Sequence, residues 1–254
     1  MSVTVRPMVR IAGELRPDDR SNGLHLSLLR HFQLTSHEGP ICLPLSGQRI
    51  VAYLALREGP ITRAGLAAVL WPDAAEDRAM ANLRSAIWRV NRPGLRLIEA
   101  TPDHAALMRD ITIDFRELMP AVIAILARSG KIDRHIVANL AQADELLPDW
   151  YDDWIVFERE RFRQLRLHAL ESLCEQLTDG GEFALAIDMG LAAVGADPLR
   201  ETARRALIRA FLAEGNRAEA IGQYTSYRRL LRIELDVAPS EHIDAMVRGL
   251  EPKP

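Results

Sequence analysis

A segment of this chain repeats itself at an offset of 34 residues. Gly181, Ala184, Ala186 and Ile187 return as Gly215, Ala218, Ala220 and Ile221, with Leu173 matching Leu207 and Leu177 matching Phe211. A period of this length is one helix–turn–helix unit, because two helices and their turns use about 30–45 residues. Small residues at fixed positions let the two helices of a unit cross closely, and stacked units then share one apolar core. The period therefore commits the second half of the chain to stacked helix pairs. It speaks to fold and not to function, because such stacks bind many kinds of partner.

The late positions agree. Ala193 and Pro198 occupy the small-residue and proline positions of a tetratricopeptide repeat, and Tyr224 supplies an aromatic four residues after Ala220. Upstream, the spacing predicts a helix with Pro120 in its first turn that runs to Arg128 and stops at Ser129-Gly130. Further helices are predicted from about Asp133 to Leu147 and from Trp150 towards Leu177.

The first half reads differently. Residues 1–27 mix charges with Pro7, Gly13, Pro17 and Gly23 without periodicity and read as a loose leader. Leu28–Leu34 partly alternates and suits a strand, with Ile41-Cys42-Leu43 as a short partner after the Gly39-Pro40 turn. Then the period changes to helical. Ile50, Val51, Leu54 and Ala55 form a first helix ending near Glu58-Gly59-Pro60. Thr62 N-caps a second, with Leu66, Val69 and Leu70 inward, and a third runs from about Ala75 to Asn91. Short strands follow at 95–98, 105–108 and 111–113. Strands, three helices and a hairpin are the plan of a winged helix, so the chain is predicted to be mostly α, with a winged helix-turn-helix at 28–116 and helical repeats at 117–254.

Net charge is −3, which alone disfavours a nucleic-acid partner. Its distribution does not. Residues 28–116 carry 11 Arg against 9 acids, and 117–254 carry 17 basic against 23 acidic residues. From Arg78 to Ile98 there are five arginines (Arg78, Arg84, Arg89, Arg92, Arg96) and no acid. Such a stretch can neutralise phosphates, although arginine is common throughout a chain with 30 Arg and 2 Lys.

At 100° per residue, Ala79, Leu83, Ala86, Ile87 and Val90 share the inward face of the third helix. Arg78, Ser85, Trp88 and Arg92 lie opposite, with Asn82 and Arg89 on the shoulder. Arginine can bond guanine N7 and O6 together, and asparagine can pair adenine N6 and N7 in the major groove. Arg49, Arg63 and the helix start at Thr62 are positioned to hold phosphates. Any surface helix has a polar face; the exception is Trp88, which either stacks on DNA or is buried against the wing, burial being slightly favoured.

Leu54-Ala55-Leu56-Arg57, Ala68-Val69-Leu70-Trp71-Pro72-Asp73 and Ala81-Asn82-Leu83-Arg84, ending in Trp88-Arg89-Val90-Asn91-Arg92, resemble the DNA-binding domain of SARP-type transcriptional activators. Leu147–Trp154, the Glu-Arg-Glu-Arg after it, Ala196–Glu201, Gln223-Tyr224 and Leu230–Ser240 resemble the bacterial transcriptional activation domain of the same family. The resemblance covers about residues 28–250. It implies an OmpR-type winged helix, binding to repeated sites in double-stranded promoter DNA, recruitment of RNA polymerase, and pairing as a dimer on DNA. It also suggests a short member lacking the ATPase module of longer relatives.

Two segments depart from the family pattern. Ser46-Gly47-Gln48-Arg49 replaces the usual basic residues before the first helix, and Thr62-Arg63-Ala64-Gly65-Leu66 replaces an acidic start to the second. These leave an alternative open: a repeat scaffold whose winged helix no longer binds DNA.

Other chemistry finds little footing. His25, His31 and His37 lie six apart without completing a metal set. Cys42 and Cys174 read as buried structural thiols, and Asp152-Asp153 with Glu158 and Glu160 as acids favouring a helix start, with Glu158 and Arg161 paired at i,i+3. No nucleotide-binding loop, serine elbow or zinc motif occurs. The expectation is therefore a regulator and not an enzyme, without cofactor or metal. With no apolar run near 20 residues, no signal-like start and two distant cysteines, the expected setting is the reducing cytoplasm, with no membrane partner.

Overall fold

A computed structural model describes residues 23–129, 134–143 and 145–249. The first sheet begins earlier than expected. Strand β1 is Leu24–Ser27, followed by β2 Gln33–Ser36 and β3 Gly39–Pro40. Leu24 and Leu26 alternate inward in β1, and that period-2 pattern lies inside the stretch read as leader. Leu28–Phe32 is the connection rather than the strand. Ile41-Cys42-Leu43 continues past β3 as an irregular segment, which leaves the Cys42 side chain exposed rather than buried. Residues 1–22 of the expected leader lie outside the described residues.

The three central helices fall close to prediction: α1 Leu45–Ala55, α2 Arg63–Leu70 and α3 Glu76–Val90. Thr62, in the short strand β4 Ile61–Thr62, caps α2 by accepting from Gly65 N at 3.3 Å. A Cβ on Gly65 would lie 2.9 Å from that hydroxyl, so the glycine lets the cap close. Gly47 serves closeness elsewhere: a Cβ there would meet a Val90 methyl at 2.6 Å, where α1 crosses α3.

Strands β5 Ile98–Ala100 and β6 His104–Leu107 form the wing hairpin, with β4 on the other edge of β6. The last strand, β7 Ile111–Ile113, leaves the wing and pairs in parallel with β1, Leu24 opposite Ile111. Of the three strands expected at 95–98, 105–108 and 111–113, the last is therefore not part of the wing but the fourth strand of the first sheet.

Strand β7 runs directly into α4, Asp114–Leu126, so the helix starts before Pro120, which lies in its interior on an exposed face. The Asp114 carboxylate explains the start: it accepts from Leu28 N (3.0 Å), Leu29 N (3.1 Å) and Phe115 N (2.7 Å). No side-chain register predicts that link, and it draws α4 across the boundary expected at 116/117. Helix α5, Arg134–Gln142, stops short of Leu147, because residues 145–147 turn back to pair with Leu29 and Arg30.

The repeat is realised as helix pairs. Helix α6, Asp153–Asp179, packs on α7, Phe183–Ala196; α8, Glu201–Glu214, packs on α9, Arg217–Glu234; and α10, Glu241–Val247, closes against α8 and α9. The matched glycines are used alike, since Gly181 (φ +77°) and Gly215 (φ +97°) turn each first helix into its partner. Ala186 and Ala220, the matched small residues, are fully buried. One continuous core runs from Leu24 through α1–α6 to Ala210, and a second joins Leu207, Tyr227, Leu231 and Ile243 at the end of the stack.

Candidate nucleic-acid interface and its support

The third helix of the winged helix, α3, is amphipathic as read. Ala79, Leu83, Ala86, Ile87 and Val90 are buried against α1 and α2. Arg78, Arg84, Ser85, Trp88 and Arg89 are exposed, and Asn82 is half-buried. Trp88 is 78% exposed, so burial against the wing does not occur. An indole left in water between arginines is a costly arrangement without a partner.

Arg92 lies just past the helix, after the capping residue Asn91, and not on it. The helix ends at Val90, and Arg92 exchanges two backbone hydrogen bonds with Leu95 (3.0 and 2.9 Å) across Pro93-Gly94. Gly94 has φ +81°, as the third residue of such a turn requires. Arg92 remains exposed, and so does Arg96. The arginine stripe thus continues from α3 onto the approach to the wing.

Asn91 fixes the relation between helix and wing. Its amide oxygen accepts from Leu97 N and Ile98 N, both at 3.0 Å, and its amide nitrogen donates to the Ile98 carbonyl at 2.6 Å. Sequence reading assigned it no role, although an asparagine ahead of Pro-Gly at a helix end is the available signal.

The residues expected to hold phosphates are engaged within the protein. Arg63 donates through Nη1 to the Thr101 carbonyl at 3.1 Å, and its backbone N–H to Asp103 O at 2.8 Å, which ties the start of α2 to the wing turn. Thr62 spends its hydroxyl on the α2 cap. Arg49 donates to Asp152, the residue before α6.

That last contact belongs to a series. Arg49, Tyr53 and Arg57 recur at helical spacing along α1 and just beyond it, and they meet Asp152, Trp154 and Glu158. Tyr53 and Trp154 rings pack edge to face at 5.1 Å, and Arg57 donates to Glu158 at 2.5 Å. Burial works to lower the Arg57 pKa, but hydrogen bonding and attraction from Glu158 outweigh it and hold the guanidinium above its ordinary value. Glu158 also faces Arg161 at 3.6 Å, the i,i+3 pair expected. Asp152 and Glu158, read from sequence as acids favouring a helix start, are therefore the acidic side of the junction between winged helix and repeats, whereas Glu160 pairs with Arg163 along α6. Phe115 on Phe162 (5.5 Å) and Phe32 on Trp150 (6.0 Å) extend the same junction. Arg49, Arg78 and Asn82 share a cleft of about 710 Å³ with Tyr151 and Asp152, so this junction borders the α3 face.

The remaining candidates are dispersed. His31 bonds Gln33 at 3.1 Å and His37 faces Glu38 at 3.7 Å. Among the described residues, no group of three His, Cys, Asp or Glu is placed to hold a metal ion, and no helix is long and apolar enough to cross a membrane.

The architecture is thus a helix-turn-helix with a hairpin wing, joined through a packed junction to stacked helix pairs. Comparison with known proteins finds relatives. Residues 138–250 match the family of bacterial transcriptional activator domains. Over 207 residues, 75% of this chain, the sequence is 30% identical to the regulatory protein AfsR of Streptomyces coelicolor, of which it spans 20% of the length. The fold is shared with Mycobacterium tuberculosis EmbR, solved in complex with a low-affinity phosphopeptide: TM-score 0.68 at 20% identity, over 90% of this chain and 65% of that one. The second half of the chain therefore carries a bacterial transcriptional activator domain, and the chain as a whole is similar to part of a much longer regulatory protein.

Proposed function

We propose that this chain is a transcriptional regulator of the SARP type, which binds promoter DNA through α3 and activates transcription by recruiting RNA polymerase through its helical half. The observation that carries the reading is the outward face of α3: Arg78, Arg84, Ser85, Trp88 and Arg89 are exposed together, and Arg92 follows at the turn. With the opposite face locked into the core, this stripe is the part of the winged helix free to enter a major groove. Asn82, Ser85, Arg89 and Arg92 then meet base edges or phosphates, Trp88 lies against a sugar or a thymine methyl, and the β5–β6 hairpin approaches the minor groove. The similarity to the regulatory protein AfsR supports the reading, as does the transcriptional activator domain in the second half. Binding to repeated sites as a dimer belongs to the same proposal.

One observation favours the alternative, a repeat scaffold with a winged helix that does not bind DNA. Arg49, Thr62 and Arg63 are occupied inside the protein, so phosphate anchoring falls to α3 and the wing alone. Substituting Arg89 and Arg92 together with alanine separates the two. Fluorescence anisotropy with a promoter duplex selected by the wild type should show binding lost while the circular dichroism spectrum is kept. Undiminished affinity removes α3 from the interface.

A further inference from the structure

The helical half is acidic overall, yet α9 inverts that balance locally. Between Ala220 and Ile233 it carries Arg228, Arg229 and Arg232 and no Asp or Glu. Its inner face, Ala220, Tyr224, Tyr227 and Leu231, is buried against the neighbouring helices. The arginines face outward. Arg228 lies over the Tyr224 ring, 5.9 Å from its centroid, which fixes the direction of its charge.

Directly after the last arginine the chain leaves three large apolar side chains in water. Ile233 is 65% exposed, Leu235 55% and Val237 47%. Arg228, Arg229, Arg232, Ile233 and Val237 line a single groove of about 540 Å³ beside Thr225. Only Arg232 has a carboxylate partner there among the described residues, the exposed Asp236 at 3.1 Å. The groove therefore combines a basic wall with an apolar one, in a half of the chain where acids outnumber bases, 23 to 17 over residues 117–254.

We propose that this groove docks an acidic, amphipathic segment of a partner protein. Carboxylates of the segment pair with Arg228, Arg229 and Arg232, and its apolar side chains cover Ile233 and Val237. Both halves of the groove are needed to choose the occupant. A nucleic-acid strand would use the arginines and leave the apolar residues in water. A purely apolar surface would bury the arginines without partners, at a cost in desolvation. An acidic segment with apolar side chains on one face satisfies both walls, and charge complementarity of this kind sets specificity and on-rate. The groove takes no part in the DNA-binding proposal and stands or falls separately.

The test uses the full chain and a fluorescein-labelled 15-residue peptide of Glu and Asp with Leu and Phe at helical spacing. Anisotropy titrations compare it with a charge-matched peptide carrying serine at the apolar positions and with a duplex of unrelated sequence. Saturable binding is expected for the amphipathic peptide, at least tenfold tighter than for the serine peptide. Arg229→Glu with Arg232→Glu should weaken it at least tenfold, and Ile233→Ser several-fold; all three positions are exposed, so the fold is kept. The proposal is overturned if the serine peptide binds equally well, if the substitutions change nothing, or if the unrelated duplex competes the peptide away. It is also overturned if sedimentation shows the wild type pairing with itself through this face and the Arg229→Glu/Arg232→Glu chain monomeric.

Discussion

Arg49, in the second turn of α1, donates to the carboxylate of Asp152, the residue that precedes α6. The sequence places these residues 103 positions apart, and neither is where an isolated motif would send it. A basic residue near the start of the first helix reads as a phosphate anchor, and an acid before a long helix reads as a cap. Each instead satisfies the other, and with Tyr53–Trp154 and Arg57–Glu158 they join the winged helix to the repeats as one packed body.

This junction should be measurable as energetic coupling. Arg49 and Asp152 side chains are each 22% exposed, so their charge-assisted hydrogen bond should contribute about 1–3 kcal/mol. A double-mutant cycle of Arg49→Ala and Asp152→Ala, followed by urea unfolding, should give single-variant losses that fail to add by that amount. Strict additivity would show that the pair carries no energy.

Asn91 should behave as the hinge pin of the wing. Replacing it with alanine leaves the Leu97 and Ile98 amides without their acceptor, which costs about 1–3 kcal/mol for buried groups. Hydrogen exchange should accelerate at Leu97 and Ile98 while the amides in the middle of α3 keep their protection. Unchanged exchange at both amides would mean that the wing is held by other contacts.

The two cysteines should react very differently. Cys42 is exposed, while Cys174 is fully buried, its thiol pushed up to about 12 chiefly by burial and further by the nearby Glu175 charge. A thiol titration with Ellman's reagent at pH 8 should find one reactive group in the native chain and two after unfolding. Because the folded pKa is the higher one, protonated Cys174 supports the fold fully below the pKa of a free thiol, about 8.5. That support declines as pH rises towards about 12. Two fast thiols in the native chain would contradict the packing at Gly190, whose missing Cβ would lie 3.2 Å from Cys174 Sγ.

Local chemistry made much of this architecture readable. The 34-residue offset located Gly181 and Gly215 in equivalent turns, Thr62 announced the start of α2, and the five inward positions of α3 followed from period alone. What escaped was non-local. Nothing near Asp114 says that it caps the backbone of residues 28 and 29, and nothing near β7 says that it pairs with β1 instead of the wing. The Arg49–Asp152 and Arg57–Glu158 pairs are invisible for the same reason: each residue alone is a common surface charge. Trp88 departs in the opposite direction, because burial is the usual fate of tryptophan and only the completed core shows that no room is left for it.

Whether the exposed stripe of α3 reads DNA can be tested by passing fragmented host DNA over the immobilised full chain, eluting with a salt gradient and sequencing what leaves last. Parallel columns carry the Arg89→Ala/Arg92→Ala chain and the Trp88→Ala chain. A few promoter fragments sharing a repeated short motif should be retained beyond the bulk by the wild type. The double-arginine variant should lose them, and Trp88→Ala should release them earlier. If all fragments leave the wild type together at low salt, α3 is not a reading surface and the scaffold interpretation replaces it.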